Sequence, residues 1–417
     1  MDTKKIHVAT GFVTGRKTFK DVIKTYANSW NDNDLNVLEG TNKYHLNLFI
    51  AYDLKYSNTL ISDYKRIAPE IYNCLESVNY LDANNISNEI NSLVTNNIIT
   101  RTEANLLFGN GYAKKRNIIL YFALKYKMDY LLFIDDDEYP LATFKTSNGN
   151  INWSGQNVIE THLKYIVKAD ITHGHHCGYV SPIPYLKFNR TLTENDFKTF
   201  IEMISNDIIN WDSIKSKMKD GGITYANESI LNNSLVKEVS EVNGGKYISG
   251  SNLCFNLKHM NKIPPFYNPP QARGEDTFLS TCLSDAKVLK IPCYTFHDGF
   301  MMYPHLLHGV LPNKLKPVTA NSKRIILRFI KANVGWIRYK PLLLYITKPD
   351  TYNEEILVMK ENIKRITPKL CRYFNNDGFT RIYQELEKYD HNVVRHYDLF
   401  MKTKEAWEKV VNYLRQY

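Results

Sequence analysis

Three short apolar segments, separated from one another by helical patterns, constrain the fold of this chain more than any other feature. They read IHVATGFV (6–13), LNLFIAYDL (46–54) and YLLFI (130–134), and each has the nearly unbroken apolar character of a strand buried on both faces. The segments around them have helical periodicity, over residues 18–30, 57–108 and 112–127. This strand–helix order predicts an α/β fold with a mostly parallel, doubly wound sheet.

Polar residues follow each of the three predicted strands. Thr10 to Gly15 end the first strand, Asp53 ends the second, and an acidic run from Asp135 to Glu138 follows the third. Because the carboxyl ends of parallel strands meet at the same edge of a sheet, we expect these residues to line one site.

The rest of the chain is expected to complete this domain and to add a second region. A chain of 417 residues is too long for one ordinary core. Strand patterns recur at 247–257 and 288–296, and a helical pattern lies between them at 275–286. We therefore predict an α/β domain over residues 1–310 and a basic helical region over residues 311–417. The polar, weakly patterned stretch at about 188–246 is interpreted as an insertion or a lid.

Net charge and cysteine usage narrow the class of protein. The formal net charge of +10 favours an anionic partner. The six cysteines form no CxxC pair, which is typical of reduced thiols in a cytoplasmic protein. The N-terminus has no apolar signal-peptide core, and no apolar stretch is long enough for a membrane span. We do not expect a nucleic-acid partner, because the basic run is confined to one segment and matches no recognised binding module.

The basic run has an amphipathic pattern. From Gly299 to Pro349 the chain has no Asp or Glu and nine Lys or Arg. One helical face collects the apolar residues Ile326, Phe329, Ile330, Val334 and Ile337. Such a helix packs against its own domain or lies on an anionic membrane surface, which would place the protein peripherally on the inner face of the membrane.

The strongest chemical signal is the run Asp135-Asp136-Asp137. Adjacent carboxylates at the end of a buried strand repel one another, and a divalent cation removes that cost. Mg²⁺ and Mn²⁺ bind to one or two carboxylates together with phosphate oxygens. We expect Asp137 to be the direct metal ligand and Asp135 to contact a ribose or a metal-bound water. Asp136 points the other way in an extended chain and is the weakest candidate of the three.

A second motif is GNGYAKKRNIILYFA (109–123), in which glycines precede a predicted helix. The unpaired N–H groups at a helix start attract anions. Lys114, Lys115 and Arg116 add positive charge to that first turn, where they oppose the helix dipole unless an anion is near. A solvated surface charge run is the alternative.

Glu275 and Asp276 stand at the start of another predicted helix, in RGEDTFLSTCL (273–283). The helix dipole favours an ionised carboxylate there, which is the state that a general base requires. The alternative is the ordinary preference of acids for helix starts.

Histidines offer a third metal ligand. His297, in the motif TFHDGF (295–300), stands at the end of a predicted strand. Neutral imidazole is a good ligand for Mn²⁺, and His305 is the substitute ligand if His297 does not bind the metal. His173, His175, His176 and Cys177 also stand together, but a zinc cluster there is disfavoured because no second Cys/His pair follows at suitable spacing.

Together these motifs resemble bacterial glycosyltransferases of family 2 and the wider GT-A fold. The acidic run looks like the DxD motif of that family, and Gly111, Arg116 and Asn117 match a glycine and an Arg-Asn pair placed before it. GSNLCF and GEDTFLS look like the Gly-x-Asn strand and the Glu-Asp motif, whose acid is the catalytic base of inverting members. The four motifs stand in the family's order over residues 5–300.

The resemblance implies a GT-A type Rossmann-like domain that moves one hexosyl or N-acetylhexosaminyl group from a nucleotide-sugar, with UDP expected, to a hydroxyl of a glycan, lipid-linked or protein acceptor. Asp276 would be the base, with Glu275 beside it, and Mn²⁺ or Mg²⁺ would be the cofactor. The remaining implied donor contacts are Thr10, Asp53, Lys115, Arg116, Asp135, Asp136 and Asn252. Absence of a QxxRW-like motif favours single transfer over polymerisation.

Two alternatives stay open from sequence. A sugar-phosphate nucleotidyltransferase has a similar sheet, but needs a Gly-rich, basic loop after the first strand; Thr14-Gly15-Arg16-Lys17 is a faint version. A non-catalytic protein that binds glycans or a membrane surface would be the second.

Overall fold

The computed structural model describes residues 5–32, 43–206 and 211–416, and its centre is a large, curled sheet. The strands are β1 Lys5–Thr14, β2 Lys43–Tyr52, β3 Ser77–Tyr80, β4 Tyr130–Asp135, β5 Glu138–Tyr139, β6 Leu141–Lys145, β7 Ile151–Gly155, β8 Ile171–Gly178, β9 Lys237–Glu238, β10 Leu253–Asn256 and β11 Val288–His297.

The order of strands in the sheet is β3-β2-β1-β4-β10-β8-β11-β5, with β9 also pairing with β11 and with β6 and β7 forming a separate ribbon. Strands β3, β2, β1 and β4 are mutually parallel, and β11 is parallel to β8. Strand β10 is antiparallel to both of its neighbours, β4 and β8. Strands β8 and β11 therefore run in the same direction as β1 and β4. The predicted α/β class with a mostly parallel sheet is confirmed.

Helices cover both faces of the sheet and form the C-terminal region. They are α1 Phe19–Asp32, α2 Ser62–Lys65, α3 Pro69–Tyr72, α4 Ala83–Thr95, α5 Arg101–Leu107, α6 Tyr112–Lys125, α7 Val158–Ile166, α8 Glu194–Ile204, α9 Trp211–Lys219, α10 Glu228–Asn232, α11 Glu275–Ser280, α12 Lys323–Thr347, α13 Tyr352–Phe374, α14 Thr380–His391 and α15 Val393–Leu414. Short 3-10 turns lie at Leu257–Lys262, Pro304–His308 and Asp377–Phe379.

Alternate residues of the central strands enter two different cores. On β4, Leu132 and Ile134 pack on the side of α1, whereas Leu131 and Phe133 pack on the side of α6. Burial on both faces explains why these strands read as unbroken apolar runs in the sequence.

The prediction of a purely helical stretch over residues 57–108 is wrong in one place. Strand β3 lies within it and adds a parallel edge strand beside β2. Its four residues are all half-buried, and so short a segment lacks the long apolar run that marks a central strand.

The C-terminal helices share a core with the predicted insertion. Phe197 of α8 and Trp211 of α9 pack in one apolar cluster with Phe329 and Ile337 of α12 and with residues of α13 and α14. The apolar stripe predicted on the basic helix is therefore used for internal packing, with only Ile326 half-buried at its start. None of the described helices is both long and apolar enough to cross a membrane.

Helix α15 also completes the core on the α6 face of the sheet. Ala406, Trp407, Val410 and Val411 lie in the same cluster as Ile118 of α6 and Phe133 of β4. The Trp407 indole N–H donates to the Ile263 carbonyl at 2.9 Å, which fixes the helix against the sheet. Helix α15, the last of the C-terminal region, is thus part of the core of the sheet.

His162, on α7, is a buried histidine whose protonation opposes folding. Its Nδ1 lies 2.7 Å from Thr172 Oγ1 and its Nε2 lies 2.8 Å from Asn252 Oδ1. Burial lowers the pKa of His162 from the ordinary 6.5 to about 4. Between these values the unfolded chain binds a proton that the folded chain does not, so this contribution to stability is complete above pH 6.5 and is lost as the pH falls to about 4.

We expect His162 to lower the free energy of unfolding by on the order of 3 kcal/mol between neutral pH and pH 4. Urea unfolding at a series of pH values measures the slope. The variant His162→Gln should reduce the slope by about one proton, while His391→Gln, an exposed histidine that ends α14, should not change it. An unaltered slope in His162→Gln would contradict the assignment.

Candidate active site

The carboxyl ends of β1, β2 and β4 meet at one edge of the sheet, as the sequence predicts. Val13 pairs with Asp135, and Thr14 pairs with Tyr52. The Asp53 N–H donates to the Thr14 carbonyl at 2.8 Å, which brings the second strand's acid to the same edge.

Thr10 does not reach this edge, which corrects its predicted role in nucleotide binding. It pairs with Leu132, three residues before Asp135, and it is completely buried. Its hydroxyl donates to the Asn47 carbonyl at 3.4 Å inside the sheet. Strand β1 continues to Thr14, so Thr14 and not Thr10 stands at the carboxyl end of the strand.

Asp53 borders a small cavity of about 110 Å³ beside this edge. Its other walls are Val13, Thr14, Gly15, Tyr56, Gly111, Tyr112 and Lys115. A Cβ atom on Gly15 would lie 2.5 Å from Tyr56 Cβ, so only glycine admits the tyrosine there. The Lys115 ammonium donates to the Tyr52 carbonyl at 2.7 Å, and burial lowers its pKa although Asp53 opposes this.

Asp136 is held by structural contacts. The Thr14 hydroxyl donates to Asp136 Oδ2 at 2.7 Å, and Arg16 Nη1 lies 3.1 Å from Oδ1. Burial raises the pKa of Asp136 to about 6 against the effect of Arg16. Asp136 also lines the cavity described below, so its use as a donor contact stays a prediction.

Asp137 and His297 face each other at the same edge. Asp137 Oδ2 lies 3.4 Å from His297 Nε2 and 2.7 Å from Arg16 Nη1. Burial alone would raise the pKa of Asp137, but His297 and Arg16 outweigh burial and hold the pKa well below its ordinary value. Burial lowers and Asp137 raises the pKa of His297, and the net result is a pKa of about 9.

The orientation of His297 fits a metal ligand. Its Nδ1–H donates to the Tyr179 carbonyl at 2.8 Å, which leaves Nε2 directed at Asp137. Metal-binding histidines are commonly fixed in this way by a backbone carbonyl. Two ligand atoms bound at about 2.1 Å and at right angles lie about 3.0 Å apart, so the separation of 3.4 Å suits a shared divalent cation.

Protein ligands alone do not complete a metal site. Over residues 5–32, 43–206 and 211–416, no group of three His, Cys, Asp or Glu side chains is arranged to hold a metal ion. Hard cations at nucleotide sites need only one or two protein ligands, because phosphate oxygens supply the rest.

Arg116 lies beneath the acidic run. It is 2% exposed and stacks against Phe133 and Phe266, with its Cζ atom 5.1 and 5.6 Å from the two ring centroids. Its Nη2 lies 2.9 Å from Asp135 Oδ1, and its Nε lies 3.8 Å from Glu275 Oε1. Arg116 therefore links the DDD run to Glu275, and because it also lines the cavity described below, its predicted donor contact stays a prediction.

Glu275 and Asp276 begin α11, close to α12. The turn needs Gly274, whose φ is +92°, and a Cβ atom there would lie 2.9 Å from Tyr339. The Thr277 N–H donates to Asp276 Oδ1 at 2.8 Å, and the Gly250 backbone also donates to this carboxylate. Burial raises the pKa of both acids, and Arg116 opposes the shift.

Asn252 does not line the site, contrary to its predicted contact with a donor sugar. It is completely buried, with Oδ1 facing His162 and Nδ2 donating to the His175 carbonyl at 3.2 Å. Its backbone φ of +51° turns the chain at the start of β10. The Gly-x-Asn motif thus has a structural role, because Asn252 is hydrogen-bonded inside the protein at the start of β10.

A cavity of about 360 Å³ joins these elements. Its acidic and histidine lining consists of Asp135, Asp136, Asp137, Glu275 and His297. Neither the substitute ligand His305 nor any described residue of the predicted insertion or lid at 188–246 belongs to this lining. Larger concavities of about 550 and 820 Å³ lie elsewhere, but neither brings several carboxylates together with a metal-binding histidine.

Four cationic residues of the site were not predicted as site residues from sequence, namely Arg16, Arg273, Arg328 and Lys331. Thr14 and Glu138 belong to the two runs that the sequence places at this edge, but no individual role was predicted for them. Glu138 lies under the DDD run, where it accepts hydrogen bonds from Ser251 at 2.9 Å and Thr295 at 2.8 Å. The acid-free stretch after Gly299 was the only sequence signal for Arg328 and Lys331.

No model of a known protein family matches the chain. A search of curated proteins finds no match either.

Proposed function

We propose that the protein is a metal-dependent glycosyltransferase with a GT-A type fold that transfers one sugar from a nucleotide-sugar, with inversion. The observation that carries the proposal is that Asp137, His297 and Glu275 line one cavity at the edge of a parallel sheet, with Asp276 next to Glu275 at the start of α11. The strand order, with β10 antiparallel between the parallel strands β4 and β8, supports it.

The two neighbouring cavities suit the two parts of a nucleotide-sugar. The small one places Tyr56 and Tyr112 beside Asp53, which suits a flat base with polar edges such as uracil. The larger one suits a diphosphate and a sugar. Both share Val13, Tyr56 and Tyr112, so one extended donor fits across them.

Asp137 and His297 would hold Mn²⁺ or Mg²⁺ together with diphosphate oxygens. A cation bound there offsets the charge that develops on the leaving diphosphate. In this arrangement Arg16 keeps its contact with Asp136, which fixes the acidic run in place.

Asp276 is the proposed base. Its carboxylate is held by backbone N–H groups and makes no ion pair among the described residues, whereas Glu275 is paired with Arg116. It takes the proton from an acceptor hydroxyl, whose oxygen then attacks the anomeric carbon. The bond from that carbon to the diphosphate oxygen breaks, and its electron pair leaves with the nucleoside diphosphate.

A panel of sugar nucleotides tests the class of reaction. With Mn²⁺ present, we expect a UDP-sugar to raise the melting temperature and to release UDP slowly by transfer to water, and we expect EDTA to stop the release. Release of pyrophosphate from a nucleoside triphosphate and a sugar phosphate would instead identify a nucleotidyltransferase. Binding of a glycan without any turnover of a sugar nucleotide would identify a non-catalytic protein.

A further inference from the structure

The cavity of about 360 Å³ is lined by more Arg and Lys side chains than carboxylates. Arg16 is paired with Asp136 and Asp137, and Arg116 is paired with Asp135 and Glu275. These two arginines therefore face all the aspartates and the glutamate of the lining.

Three further cations line the same cavity, namely Arg273, Arg328 and Lys331. In the part of the chain that the structure describes, none of the three forms an ion pair with a carboxylate. Arg328 and Lys331 lie one turn apart on α12. Arg273 packs against Gly335 of the same helix, and its Cδ atom lies 3.3 Å from where a Cβ atom on Gly335 would be. The lining as a whole has five Arg or Lys against four carboxylates, and the wall at α12 holds three of these cations with no carboxylate paired to them, which favours an anion there.

Arg328 is placed for contact with such an anion. Its guanidinium carbon lies 4.5 Å from the centroid of Phe300, and its Nε is buried with no hydrogen-bond partner. A Cβ atom on Gly299 would lie 2.8 Å from Arg328 Nη2 and 2.5 Å from His297 Cε1, so the guanidinium closely approaches the proposed metal ligand. A buried N–H without a partner is costly, and an anion bound beside His297 would satisfy it.

The loop that carries Gly299 and Phe300 is fixed to α12 by a second contact. Arg324, one turn before Arg328, donates through Nη2 to the Phe300 carbonyl at 2.7 Å. The position of Arg328 relative to His297 is therefore set by the packing of α12.

We propose that Arg273, Arg328 and Lys331 bind a diphosphate group directly, so that the C-terminal helical region forms one wall of the donor site. The inference rests on the proposed function, because it assigns the diphosphate to a nucleotide-sugar. A diphosphate ester carries two to three negative charges, and planar guanidinium groups bind phosphate oxygens in pairs. Part of the affinity for nucleoside diphosphate consequently does not depend on a divalent cation.

Calorimetry on the full chain tests this with UDP, uridine and inorganic pyrophosphate, each in EDTA and in Mn²⁺. We expect wild type to bind UDP and pyrophosphate in EDTA, and Arg328→Gln to weaken both by roughly 10- to 100-fold, the range of a charge-assisted hydrogen bond. Uridine binding should not change. Arg328→Lys keeps the charge without the planar fork and should give an intermediate loss.

Lys323→Gln is the matched control, because it removes one charge from the exposed start of the same helix. UDP affinity in Arg328→Gln within twofold of wild type would overturn the inference while leaving Mn²⁺-dependent UDP binding, and thus the proposed function, intact. Arg328-dependent binding of pyrophosphate with no preference for UDP and no turnover would support the diphosphate site and reject the glycosyltransferase. Binding of neither ligand would overturn both.

Discussion

Asp276→Asn is expected to reduce turnover of the sugar nucleotide by roughly 100- to 10,000-fold, the usual contribution of a positioned general base. Affinity for UDP should stay within about twofold of wild type, because the carboxylate faces the Gly250 and Thr277 backbone and not the diphosphate side of the cavity. The asparagine retains the shape of the side chain and one accepting oxygen but cannot take a proton at neutral pH. Release of UDP in the presence of Mn²⁺ measures turnover, and calorimetry measures binding.

Asp285→Asn is the matched control, since it removes one exposed carboxylate just after α11 and away from the cavity. Glu275→Gln distinguishes the members of the pair. It leaves Arg116 paired only with Asp135, so a change in donor binding is expected together with any change in rate. Full turnover in Asp276→Asn would reject the proposed base.

Asp137→Asn is expected to weaken Mn²⁺ binding at least 100-fold, because even partners outside the coordination sphere typically contribute about 10- to 100-fold. The Mn²⁺-dependent part of UDP affinity should disappear with it. The substitution removes the only carboxylate that faces His297 Nε2 at 3.4 Å in the described site. Calorimetry with Mn²⁺, alone and with UDP, measures both effects.

Asp136→Asn is the informative companion, because it removes the same charge one residue earlier. Its carboxylate contacts Thr14 and Arg16, so we expect Mn²⁺ affinity to be kept. Unchanged Mn²⁺ affinity in Asp137→Asn would contradict the metal assignment. Loss in Asp136→Asn alone would exchange the two roles.

The sheet could be predicted from the sequence because both of its faces are covered. Strands buried on two sides must be apolar at every position, and Leu131 to Ile134 carry that signal without any knowledge of their partners. The same reasoning placed Asp53 and Asp135 at one edge. Edge strand β3 is half-buried and short, so it left no comparable pattern.

Positions within the site were harder to predict because they depend on register and on distant contacts. Thr10 lies inside the sheet opposite Leu132, whereas Thr14 ends the strand opposite Tyr52, and the register with β4 and β2 decides which of the two reaches the site. Asn252 was expected at the surface of the site, but His162, ninety residues earlier, binds its side chain inside the sheet. Arg16 contacts Asp137, and Arg328 lies near His297 beside Gly299, although these residues are distant in the sequence. No local sequence pattern predicts such contacts.

The packing of α15 affects the order in which the protein can fold. Trp407 closes a core that also contains Ile118 and Phe133, so this face of the sheet depends on residues nearly 290 positions later in the sequence. A nascent chain would expose that apolar surface until α15 docks, and contacts of such long range slow folding. We therefore expect the chain to remain a client of holding chaperones during synthesis, and the N-terminal half expressed without α15 to aggregate.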